Sequence, residues 1–180
     1  MRLHKTTIGV AGVLVCIVAG ASVALGAASS KTPAGGAVQI MVQPGQAQGK
    51  GKIIFTGAVG DYGSSSPTMS SGGKKFGIAT LTKGTIKIDL TAIAAKVNSA
   101  NPPVNNATCS ANVAETAAAP VLGGTGLYAG IHGTLQITES FYFIGSTYKS
   151  GSKKGQCNMS NSAPTVAEMG TVYGSGTVSF

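Results

Sequence analysis

Beyond its first thirty residues the chain carries few side chains able to do chemistry. They are the acids Asp61, Asp89, Glu115, Glu139 and Glu168, one histidine (His132), two cysteines (Cys109 and Cys157) and eleven lysines. Side chains on a strand alternate between two faces, so the parity of each acid tells which neighbours share its face. Over residues 130–144, Glu139 shares parity with Ile131, Leu135, Ile137, Phe141 and Phe143, while His132, Thr134, Gln136, Thr138 and Ser140 take the other side. Over 108–116, Glu115 shares parity with Cys109 and Val113, and over 50–61 Asp61 shares it with Ile53, Phe55 and Val59. Asp89 is the exception, facing outward beside Lys87. A carboxylate on an apolar face is costly unless it is paired, hydrogen-bonded or neutral. Glu139 inside a barrel therefore marks a lined cavity and a raised pKa. Glu139, Glu115, Asp61 and Phe141 are the candidate ligand-binding residues, and Glu139 is the one candidate for a catalytic carboxylate. The alternative is that a bulge turns Glu139 to solvent and that Asp61 and Glu115 sit at wet strand ends.

Other chemistries lack their residues. His132 lies on the polar parity with no adjacent carboxylate and reads as solvent-facing. No GxSxG nucleophile elbow is present. Gly123-Gly124-Thr125-Gly126 lacks the Lys-Ser/Thr of a phosphate-binding loop and reads as a turn. One histidine and two cysteines cannot build a multi-histidine or structural zinc site. No cofactor is expected. The only arginine is Arg2, so the rest of the chain has no planar clamp for phosphate or carboxylate. The lysines pair at 50/52, 74/75 and 153/154, in or beside loops. That suits a solvated surface or attraction to an anionic envelope component, and speaks against nucleic acid, which asks for arginine and stacking aromatics. Asn106-Ala107-Thr108 and Asn158-Met159-Ser160 fit the glycosylation sequon.

The N-terminus reads as an export signal. Met1 to Lys5 is short and basic, Thr6 to Ala28 is uncharged, and small residues follow at Ala24, Gly26, Ala27, Ala28 and Ser29. Residues 1–28 are therefore expected to be a signal peptide and the protein to be secreted. An uncleaved anchor is the rival, because the uncharged run is long enough to span a bilayer, and it is the one route to membrane attachment. Val15 before Cys16 excludes lipoprotein processing. Loss of the segment leaves eleven lysines against five acids, a formal +6 against +8 for the whole chain. Export implies an oxidising compartment. Cys109 and Cys157 then read as a disulfide closing a loop of about 49 residues, with a reactive thiol as the alternative.

These residues must be positioned by strands. Gly, Ser and Thr are abundant and Leu is scarce, with Val, Ile, Phe and Tyr in regular alternation, a composition for strands and turns rather than helices. After a flexible linker over 29–36, the pattern predicts strands over 37–42, 50–61, 76–82, 85–91, 108–116 and 130–144, and one or two over 166–180. Residues 63–73 and 149–161 read as loops, 120–126 as a turn, and 91–98 as two helical turns ended by Asn101-Pro102-Pro103. The whole of 37–180 is expected to be one all-β domain, an antiparallel barrel or sandwich with one short helix.

The segment Gly123-Gly124-Thr125-Gly126-Leu127-Tyr128-Ala129-Gly130-Ile131-His132-Gly133-Thr134 resembles the turn-and-strand signature of the allene oxide cyclase and dirigent-like barrels. With Thr56 to Gly63 and Cys157 to Ser160, the wider pattern looks like a group of secreted actinobacterial proteins without assigned activity. The resemblance implies an antiparallel barrel of about eight strands with a cavity, often as a homo-oligomer. It implies a cavity carboxylate used in cyclisation or in guiding radical coupling, for which Glu139 is the loose match. The lack of arginine beyond the expected signal peptide departs from the plant members of the family. From the residues, the protein is expected to be a secreted, non-enzymatic barrel that binds a small apolar or amphipathic ligand or associates with the cell envelope. A cyclase or dirigent-type enzyme or auxiliary protein is the alternative.

Overall fold

Alternation of apolar and polar residues builds nearly the whole of the described chain. The computed structural model describes residues 34–45, 50–66, 68–158, 160 and 162–180. The expected signal peptide and residues 29–33 of the expected linker lie outside the described residues, as does Met159 of one sequon. The strands are β1 (Gly36–Gln43), β2 (Gly51–Gly57), β3 (Asp61–Ser65), β4 (Met69–Ser71), β5 (Lys74–Leu81), β6 (Gly84–Asp89), β7 (Ser110–Gly126), β8 (His132–Gly145) and β9 (Thr165–Ser179), with one helix, α1 (Thr91–Ser99), between β6 and β7. Every neighbouring pair is antiparallel. The order runs β3-β2-β1-β9-β8-β7-β6-β5, and β3 pairs with β5 to close the ring. Eight strands thus form a closed barrel, which leaves no unpaired edge within the ring itself. The short β4 is extra, pairing only with the start of β5.

Three boundaries differ from the sequence expectation. The stretch 50–61 is not one strand: the chain reverses at Gly57–Gly60 and returns as β3. Asp61 nonetheless faces inward, because it lies directly opposite Phe55 and opposed residues point to one face. Residues 63–73 are not all loop, since their backbones pair in β3 and β4 despite small polar side chains. Residues 120–126 are not a turn but the end of β7, which pairs with β6 through a register shift at Lys87/Ile88. The glycines of that segment serve close approach: a Cβ on Gly124 would lie 2.4 Å from the Thr85 carbonyl oxygen and 2.7 Å from that of Tyr128.

The inward positions fill one end of the barrel. Val38, Phe55, Leu81, Ile86, Ala119, Val121, Leu135 and Val178 are buried there. The loop between β7 and β8 turns in beneath them and inserts Tyr128 and Ile131, both fully buried, as a plug. At the other end α1 crosses the opening. Its start is tied down by Asp89, whose carboxylate accepts the Thr91 backbone N–H at 2.8 Å. Farther along, the Lys96 ammonium donates to the Thr116 carbonyl oxygen of β7 at 2.8 Å. Ile93 points inward at 1% exposure. Beyond that opening β7, β8 and β9 continue as a three-stranded ribbon, since β1 pairs only with residues 172–178 of β9 and β6 only with 121–126 of β7. Cys109 and Cys157 are joined by a disulfide, their Cα atoms 5.3 Å apart. The bond ties the start of the ribbon to the loop after β8.

Candidate ligand cavity

Between the filled end and α1 the barrel holds a partly open cavity of about 220 Å³. Its walls are mostly aliphatic: Ile40 and Val42 from β1, Ile53 from β2, Ile88 from β6 and Ile137 from β8, with Ile93 and Ala94 of α1 above them. The rim is polar and small, formed by Ser65, Ser66, Thr68 and Gly45. Strand alternation alone explains the apolar lining, because these residues occupy the inward parity of their strands.

Among the described residues, one ionisable side chain lines the space, Glu139. It follows Ile137 on the inward parity of β8 and lies opposite Val172 of β9. Burial pushes its carboxyl pKa above the ordinary value of 4.5, since a charge is poorly solvated there. Glu115 of β7 stands directly opposite Glu139 across the strand pair. It is half-buried and does not line the cavity.

The other two candidates lie elsewhere. Asp61 is at the filled end, 6% exposed. Its carboxylate accepts hydrogen bonds from the hydroxyls of Thr82 and Tyr128, each at 2.6 Å, and from the backbone N–H groups of Tyr62 at 2.8 Å and Lys83 at 3.1 Å. Burial alone would raise its pKa, but these four donors outweigh it and hold the group at about 2. The same burial, with the neighbouring Asp61 carboxylate, pushes the Tyr128 phenol well above its usual range. Asp61 is thus a fully satisfied anchor for the Tyr128 plug and not a cavity group. Phe141 sits on the ribbon at 38% exposure, against Gly170 of β9, and does not line the cavity. His132 is exposed, its ring Nδ1 bonded to the Gly130 carbonyl at 3.0 Å.

The cavity therefore brings together one of the four expected ligand-binding residues with aliphatic side chains from many strands. Sequence reasoning passed over α1 as a lid: the Ile93–Val97 spacing signals a helix but not what it covers. It also missed Tyr128 and Thr82 as partners of Asp61, contacts between segments 67 and 21 residues apart. Chemically, the cavity can desolvate an apolar group and present it with one carboxyl. Among the described residues no helix is long and apolar enough to cross a membrane, and no cluster of three or more His, Cys, Asp or Glu could hold a metal ion. No family model, no curated protein and no solved structure matches the chain.

Proposed function

We propose that the protein is an exported, non-enzymatic barrel that holds a small apolar or amphipathic ligand in the cavity beneath α1. The observation that carries this reading is the cavity itself, about 220 Å³ of aliphatic walls with Glu139 as the single ionisable lining group among the described residues. Few convergent polar groups on an apolar wall are what small-molecule sites have in common. The Cys109–Cys157 bond supports export, since disulfides persist in oxidising compartments. The uncharged run after Lys5 supplies the signal.

Ala94 offers the test, because it lines the cavity from the helix and leaves the barrel wall untouched. Ala94→Phe should lower the affinity for an apolar fluorescent probe by at least about tenfold while circular dichroism stays unchanged. Equal probe binding by the variant would place the probe outside the cavity. A second reading rests on Glu139 alone: a cyclase or dirigent-type enzyme in which a protonated Glu139 acts as a general acid on a bound apolar substrate. Glu139→Gln separates the two, since it would abolish turnover in an enzyme but spare binding in a carrier.

A further inference from the structure

The outer wall of the barrel carries a feature that the cavity does not use. Tyr62 of β3 lies opposite Ile54 of β2, Ile54 opposite Met41 of β1, and Met41 opposite Tyr173 of β9. All four point outward, at 65%, 55%, 67% and 51% exposure respectively. The row crosses four hydrogen-bonded strands, a span of about 14 Å at the usual strand spacing. Met169, on the same face of β9 beyond Thr171, and Tyr142, opposite it on β8, form a second exposed pair on the ribbon, at 65% and 50% exposure. The six side chains present on the order of 700 Å² of surface. The row of four contributes about 500 Å² of it, at the upper end of the roughly 300–600 Å² of a typical monomer's largest patch, and with the ribbon pair the surface approaches the roughly 800 Å² per partner of a stable interface.

Charge is almost absent around them. In a chain of formal charge +8, the outward positions of β7, β8, β9, β1, β2 and β3 hold one formally charged residue, Lys52. The rest are Thr, Ser, Gln, Asn, Ala, Pro, Leu, His and the exposed apolar residues. Depletion of charge together with enrichment in Tyr and Met is the composition of an interface core. The order of the row names the occupant. Aromatic, aliphatic, aliphatic, aromatic reads the same in both directions, so a two-fold axis between Ile54 and Met41 sets Tyr62 of one copy against Tyr173 of the other and Ile54 against Met41. Self-complementarity of this kind is what an isologous contact requires.

We infer that two copies of this chain pair wall to wall across the Tyr62–Ile54–Met41–Tyr173 row, leaving the cavity of each copy free. Lys52, two residues from Ile54 on the same face of β2, is the one charge beside the seam.

Sedimentation velocity over a concentration series tests this. The wild type should sediment as a dimer that dissociates on dilution. Combining Met41→Lys with Ile54→Lys brings four lysines to the axis and should raise the dissociation constant at least about a hundredfold. Leu122→Lys, at an exposed apolar site off the row, should leave the dimer intact. Circular dichroism and thermal unfolding establish that each variant is folded. A measurement on the wild type alone stands beside the variants: peroxide should oxidise Met41 more slowly in concentrated than in dilute protein. Monomer at every concentration overturns the inference, as does a dimer that survives the double substitution, which would place association in another segment of the chain. A monomer that pellets with phosphatidylglycerol vesicles through Met41 and Ile54 also overturns it, in favour of a lipid surface.

Discussion

Asp61 and Glu139 both face inward on barrel strands, yet their surroundings move their pKa values in opposite directions. Asp61 meets four donors and ionises readily, at about 2 against the usual 3.8. The unfolded chain therefore binds its proton first, and the stability contributed by Asp61 is complete above about pH 4 and lost as the pH falls toward 2. A shift of that size corresponds to about 2 kcal/mol. Asp61→Ala should cost about 3 kcal/mol in urea unfolding at pH 7, because Tyr128, Thr82 and two backbone amides lose their acceptor. The penalty should shrink when the titration is repeated at pH 2. Glu139 has the reverse sign. Its folded pKa lies above the ordinary 4.5, so the native state holds the proton longer and stability declines as the pH rises through the unfolded value. Glu139→Gln should melt higher than the wild type at pH 7 and level with it at pH 4 in a thermal scan. An equal gain at both values would mean that the carboxyl is not the source.

At the scale of elements, the strands were legible wherever alternation was strict. Ile86 and Ile88 set β6, and Leu135, Ile137 and Glu139 set the inward face of β8, so the one cavity carboxyl could be placed by parity alone. Legibility failed where side chains are small. Ser64, Ser65, Ser70 and Ser71 look like loop residues, yet backbone pairing holds them in β3 and β4. The glycines near 123–126 look like a turn, yet they are where β7 passes close to Thr85 and Tyr128. Phe141 kept the inward parity but fell on the ribbon past the barrel, because strand length relative to its neighbours is not written in alternation. Nor is the burial of Asp61 among donors that come from three separate segments. The disulfide belongs to this scale too, since it ties that ribbon to the loop after β8. Cys157→Ser should cost about 2–4 kcal/mol in urea unfolding. Probe binding should be retained, because neither cysteine lines the cavity.

For the whole molecule, ring closure and cavity follow from one another. Eight strands give an interior just wide enough for side chains to fill or to hold one small ligand, and this barrel is filled at one end and hollow at the other. The plugged end, with Tyr128 on Asp61, supplies rigidity. The end under α1 leaves space that its aliphatic walls keep apolar. Native mass spectrometry of the protein purified from its own host tests the central claim most directly. A small molecule should travel with the wild type and be lost from Ala94→Phe purified in the same way. A wild type found only at its bare polypeptide mass, with no apolar probe able to enter the cavity, would contradict it.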